Sequence, residues 1–131
     1  MAKKILVVDD EQHMRIFMTT LLETSGFKPI TAEDGKQGLE LARQKKPDAI
    51  ILDVMMPKES GFAMYRELKK DGQLKDIPVI IVSGLARKTF LHSHRLLDLH
   101  QEENIPEPVA YIEKPPEADE LLEAINKVLS S

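Results

Sequence analysis

Short apolar runs rich in β-branched residues alternate along this chain with longer stretches whose apolar positions recur at helical spacing. The runs cover residues 5–8, 28–32, 49–52, 79–82 and 109–112. After the first of them, Met14, Phe17, Met18, Leu21 and Leu22 recur at i, i+3, i+4, i+7 and i+8, and Gly26 suits the helix stop that follows. Asp34 opens a second helical stretch carrying Leu39 and Ala42, which Pro47 ends. Ser60 and Gly61 open a third, with Phe62, Tyr65 and Leu68 on one face. Residues 85–99 make a fourth, and Pro116 leads a fifth in which Leu121, Leu122, Ile125, Val128 and Leu129 form one stripe. Such alternation predicts βα units built on a parallel sheet.

Two details order the strands. Ala49-Ile50-Ile51-Leu52 is apolar at every position, as a central strand covered by helices on both faces should be. Pro29 removes a ladder donor from the second run and predicts an edge position for it. The expected fold is α/β: a five-stranded parallel, doubly wound sheet of order 2-1-3-4-5 with five flanking helices, flavodoxin-like, with the first and third strands side by side. At 131 residues the chain reads as a single domain over 1–131, with no output domain after the last helix.

Composition narrows the function. An apolar fraction of 42% and a charged fraction of 31% belong to soluble globular proteins. Without cysteine there is neither a disulfide framework nor a thiolate metal site, which fits a cytoplasmic location. A net charge of -4, with no basic run interleaved with aromatics, argues against direct nucleic-acid binding. No apolar stretch approaches the ~18 residues of a membrane span, so no membrane association is expected.

Candidate chemistry gathers where the predicted strands end. Asp9 and Asp10 follow the first run, Asp53 the third, Ser83 the fourth and Lys114 the fifth. In a parallel sheet these ends share one edge. Any single acidic residue there could be a solvated turn former, but the joint placement of all four elements points to one polar site. Crowded carboxylates need a compensating cation, and hard oxygen donors without His or Cys indicate Mg²⁺, or Mn²⁺ in its place. Lys114 adds nothing to a site that only holds a metal, whereas it suits one that also binds a phosphoryl group. Asp53, alone at the centre, is the natural nucleophile, since a carboxylate can form an aspartyl phosphate.

Val7-Val8-Asp9-Asp10-Glu11, Leu52-Asp53-Val54-Met55-Met56-Pro57, Val82-Ser83-Gly84 and Tyr111-Ile112-Glu113-Lys114-Pro115 resemble the four signature blocks of the receiver domain of two-component response regulators. The likeness spans nearly the whole chain, with the blocks in the family's order. It implies that Asp53 is the phosphoacceptor, that Asp10 is a direct metal ligand with Asp9 acting on the metal, often through water, and that the Met55 carbonyl completes the protein ligands. It further implies that Ser83 and Lys114 contact phosphoryl oxygens and that the bond before Pro115 is cis. Tyr111 stands three residues before Lys114, where the family has its switch aromatic; the plain alternative is an amphipathic strand residue with its hydroxyl in water. On this likeness the protein is a signalling phosphoacceptor rather than an enzyme. Its phosphoryl group comes from phosphohistidine on a sensor histidine kinase or a histidine phosphotransfer protein, or from a small donor such as acetyl phosphate. Ser83 moves towards the phosphoryl group, Tyr111 enters the vacated space from the surface, and the face of the fourth helix and fifth strand passes the signal to a downstream protein target. A phosphorylation-independent scaffold is disfavoured because every site residue is present. A Mg²⁺-dependent aspartyl-phosphate phosphatase ranks third for want of an enclosing lid or second domain.

One stretch departs from the family. Between Ser83 and Lys114 the chain is longer by about two helical turns, and Glu102-Glu103-Asn104-Ile105-Pro106-Glu107-Pro108 replaces a small-residue ending. An extended fourth helix followed by a stiff proline-bounded loop is expected. Helical projection puts Ala86, Phe90 and Leu97 on one face and Leu85, Leu96 and Leu99 on the other, the latter a candidate surface for a partner or for a homodimer. Arg87 and Lys88 near the helix start, and Glu102 and Glu103 near its end, oppose the macrodipole. His92, His94 and His100 lack metal-site spacing and read as exposed helix residues.

Overall fold

The computed structural model describes residues 2–57, 60–101 and 104–130. Strands and helices alternate: β1 (Lys4–Val8), α1 (Gln12–Thr24), β2 (Lys28–Ala32), α2 (Gly35–Lys45), β3 (Ala49–Leu52), α3 (Ser60–Lys70), β4 (Val79–Ser83), α4 (Arg87–Gln101), β5 (Ala110–Glu113) and α5 (Ala118–Leu129). All strand pairs are parallel, in the order β2-β1-β3-β4-β5, as the sequence predicts. Pro29 lies on the edge strand β2. The fifth strand begins at Ala110 rather than Val109, which is exposed.

Side chains alternate across a strand, and this splits the core in two. Leu6, Val8, Ile50, Leu52 and Ile81 pack with Met64, Leu68 and Phe90 on the side of α3 and α4. Ile5, Val7, Ile51, Ile80 and Val82 pack on the other side with Met18 and Leu22 of α1 and Leu121 and Ile125 of α5. A one-residue slip of any central strand would exchange its two sets, but because both faces are apolar the hydrophobic pattern alone would not forbid it. The helices and loops that seat each side chain hold the register.

Local signals place the helix ends. Asp34 accepts a hydrogen bond from the Gln37 amide at 2.8 Å, while the Gln37 side chain accepts one from the Glu33 amide at 2.8 Å, so the two side chains satisfy amides at the start of α2. Gly26 follows α1 with φ 88°, a left-handed conformation that a side chain would resist. Lys46 closes α2 at φ 45°, just before Pro47.

The fourth helix differs from its projection. Phe90 is buried as expected, but Ala86 is exposed, and Leu85 lies ahead of α4 and packs on the core. Leu96 remains 53% exposed. The side chains of Leu97, Leu99 and His100, and the residues Glu102 and Glu103, lie outside those described. His92 is exposed, whereas His94 is 3% exposed and corrects the expectation for it. Its Nε2 donates to the Ile105 carbonyl at 2.8 Å, and its ring stacks on Phe90 at 5.8 Å. The reason is the return path of the proline-bounded segment: Ile105 is buried, and the Tyr65 hydroxyl donates to the Pro106 carbonyl at 2.6 Å. A helix projected in isolation cannot register a loop that folds back over it.

Ile50 is fully buried in the central strand. Ile50→Ala is expected to cost about 2–5 kcal/mol, read as a lower denaturant midpoint at an unchanged m-value.

Candidate functional site

Sheet register brings the acidic residues together. Val8 pairs with Leu52, so Asp9 and Asp53 leave adjacent strands side by side. The Asp53 amide donates to the Val8 carbonyl at 3.0 Å and the Asp9 amide to the Ala32 carbonyl at 3.1 Å, extending the ladder one step past the strands. Asp9 and Asp53 are buried, at 0% and 2% exposure, and Asp10 is exposed. One carboxylate oxygen from each of the three lies within 4.8 Å of the others.

Lys114 arrives from β5. Ser83 pairs with Glu113, and the Lys114 amide donates to the Ser83 carbonyl at 2.8 Å, which fixes the lysine at the same sheet edge. Its Nζ lies 2.9 Å from Asp9 Oδ2, 2.9 Å from Asp53 Oδ2 and 2.7 Å from Glu11 Oε1. The Lys114-Pro115 bond is cis, as the family likeness implies. Burial works to lower the pKa of the ammonium, but its contacts with the Glu11, Asp53 and Asp9 carboxylates outweigh it and leave it raised. Burial pushes Asp9 above the usual carboxylate range; the Glu11 amide and Lys114 oppose this, and Asp53 adds repulsion.

Hydrogen bonds orient the carboxylates. Asp53 Oδ1 accepts from the Met55 amide at 2.8 Å, and Asp9 Oδ1 from the Glu11 amide at 2.9 Å. Asp9 Oδ2 is in ion-pair contact with Lys114 but takes no aligned hydrogen bond. A buried oxygen with free lone pairs, beside two further carboxylates of which one is open to solvent, suits a hard, partly hydrated cation such as Mg²⁺.

Ser83 is fully buried and its Oγ accepts from the Leu85 amide at 3.2 Å. Tyr111 differs from the expectation that it starts at the surface. It is half-buried, donates to the Leu85 carbonyl at 2.5 Å, and packs on Phe90 at 5.2 Å. Phe90 is supplied by α4, so the inward position is set by a neighbour that the strand pattern does not reveal.

Sequence reading left two participants without a role. Glu11 pairs with Lys114, and its only signal is its place directly after the acidic pair. Gly61 lies against the backbone that leads out of Asp53: a Cβ there would come 2.2 Å from the Asp53 carbonyl oxygen and 2.5 Å from Val54 Cα. Gly61 read as a helix opener, and the contact across the chain is invisible without coordinates.

Comparison with known proteins gives the class. Residues 5–126 match the response regulator receiver domain. Protein PilH of Pseudomonas aeruginosa is 36% identical over 127 residues, covering 97% of this chain and 98% of PilH. The polar-differentiation response regulator DivK of Brucella anthropi is 35% identical over 132 residues, covering 98% of each chain. Among solved structures, the Vibrio cholerae chemotaxis protein CheY4, crystallised at low pH, superposes with a TM-score of 0.83 at 25% identity, over 98% of this chain and 100% of that one. A receiver domain protein from Clostridium thermocellum gives 0.76 at 31% identity, over 99% and 95%. The chain therefore belongs to the response regulator receiver family, whose members accept phosphoryl groups in two-component and phosphorelay signalling.

Two consequences are measurable. Gly61→Ala must displace backbone rather than a flexible side chain, so it is expected to destabilise by about 1–3 kcal/mol and to disturb the Asp53 amide in NMR spectra. Burial raises the Tyr111 hydroxyl from 10.0 to about 12; the nearby Ser83 hydroxyl opposes the rise, and Glu113 and Asp53 add to it. The fold thus favours the protonated phenol, whose stabilisation is complete below pH 10 and is lost as pH rises through about 12. Stability measured across that window is expected to fall less steeply in Tyr111→Phe than in the wild type.

Proposed function

We propose that Asp53 is the phosphoacceptor of this receiver, that Asp9, Asp10, Asp53 and the Met55 carbonyl hold Mg²⁺ or Mn²⁺, and that Ser83 and Lys114 contact the arriving phosphoryl group. The observation that carries this reading is one ammonium 2.9 Å from each of two buried carboxylates on adjacent strands. A phosphohistidine on a sensor histidine kinase or histidine phosphotransfer protein presents its phosphorus to an Asp53 oxygen. The new P–O bond forms as the P–N bond breaks, and the imidazole leaves with the electron pair. The Met55 amide holds one Asp53 oxygen and Lys114 neutralises the other, so the carboxylate is oriented before the donor arrives. A divalent cation held there would supply charge neutralisation for the phosphoryl oxygens.

Lys114 then shifts its pairing to a phosphoryl oxygen, and the Ser83 hydroxyl donates to another. In turning, Ser83 gives up the Leu85 amide, and the Tyr111 hydroxyl that bonds the Leu85 carbonyl shares that change. The face around α4 and β5 is thereby remodelled for a downstream protein target. The protein works in the cytoplasm as a phosphoacceptor that signals through protein contacts, turning over no substrate besides its own phosphoryl group. Among the described residues no helix is long and apolar enough to cross a membrane.

Acetyl phosphate with Mg²⁺ is expected to add the mass of one phosphate, stable in acid and labile in base, to the wild type and not to Asp53→Asn. Equal labelling of the two would overturn the assignment. Lys114→Ala is expected to slow labelling about tenfold or more, through loss of positive charge at the phosphoryl oxygens.

A further inference from the structure

A second feature lies beside the phosphoryl site on the α3 side of α4. Met55 and Met56 from the segment after β3, Phe62 of α3, Leu85 just ahead of α4 and Leu96 within it line a groove of about 510 Å³. Met55 and Leu96 are 56% and 53% exposed, so two large apolar side chains face solvent across it. Its size is within the usual range of binding clefts. The groove wall also continues into the site: the Met55 amide holds Asp53, and the Phe62 ring stacks on Phe90, which touches Tyr111.

Charge identifies what fits it. The chain carries a net charge of -4, yet from Gly84 through Leu97 it contains Arg87, Lys88 and Arg95 and no carboxylate. Lys88, His92 and Arg95 stand at i, i+4 and i+7, all exposed, in a stripe along α4. Ser93 and Leu96 of α4, with Leu85 just ahead of the helix, form the neighbouring strip in the groove. Lys88 and Arg95 make no ion pair with any described residue. An apolar stripe bordered by a basic one complements a helix with apolar anchors on one face and carboxylates along its border.

We propose that this groove docks an acidic amphipathic helix of a partner protein. The inference rests on the signalling reading above and supplies the chemistry of its target. The test uses the whole chain and two synthetic amphipathic peptides with the same apolar pattern, one carrying Glu and the other Lys at the bordering positions. The Glu peptide is expected to bind at least tenfold more tightly, with affinity falling as salt is raised. The double variant Lys88→Glu/Arg95→Glu is expected to abolish or reverse that preference. Methyl NMR is expected to show shifts at Met55 and Met56 and none at Met18, which is buried on the other side of the sheet.

Equal affinity for both peptides, shifts confined to other methionines, or an unchanged preference in the double variant would overturn the proposal. So would concentration-dependent dimerisation of the free protein that shields Met55, since the occupant would then be a second copy. Peptide binding is read on unphosphorylated protein, and acetyl phosphate labelling is measured separately on the same samples. Failure to label counts against Asp53 as phosphoacceptor, whereas loss of peptide selectivity counts against the groove.

Discussion

The ammonium of Lys114, placed between the buried carboxylates of Asp9 and Asp53, is the contact that makes the rest of the site tenable. Two carboxylates withdrawn from water at neighbouring strand ends repel each other and lose hydration, and each effect opposes ionisation. A cation within hydrogen-bond distance of both offsets these costs, and Glu11 adds a further anchor for it at 2.7 Å. The sheet order meets the same requirement. β1 and β3 must be neighbours to deliver the acids, and β5 must run parallel, two strands over from β3, to deliver the base. Under the function proposed above, a phosphoryl group arriving at Asp53 enters a balance already poised, since added negative charge draws the ammonium away from the carboxylates it now serves.

A second network carries that balance outward. Tyr111 packs on Phe90, Phe90 stacks on both Phe62 and His94, and Tyr65 meets Phe90 and His94 edge-on. His94 and Tyr65 hold the carbonyls of Ile105 and Pro106, which pins the loop entering β5. Ser83, Leu85 and Tyr111 join this cluster to the polar site through hydrogen bonds. Dense packing transmits strain from one ring to the next, so a change at Ser83 has a mechanical route to α4 and to the groove beside it.

Much of this architecture is written locally. The apolar runs mark the strands, Pro29 marks the edge, and Asp34 and Gly26 mark helix ends, because each acts on backbone hydrogen bonds or dihedrals within a few residues of itself. The carboxylates, Ser83 and Lys114 were legible for a related reason. Each ends a strand or follows one within two residues, and strands of one parallel sheet finish at one edge whatever the intervening sequence.

Other features needed the assembled molecule. Glu11 acquires its role only when a lysine 103 positions away lies beside it. Gly61 is required by backbone from a different element, His94 is buried by a loop that returns over its helix, and Leu85 and Leu96 part company because one meets the core and the other does not. The sequence by itself determined the order of elements and the chemical groups at the sheet edge, through short-range dihedral and hydrogen-bonding preferences. Only the tertiary structure decided which side chains touch, because those contacts depend on strand register and loop path, each set by many weak interactions between residues distant along the chain.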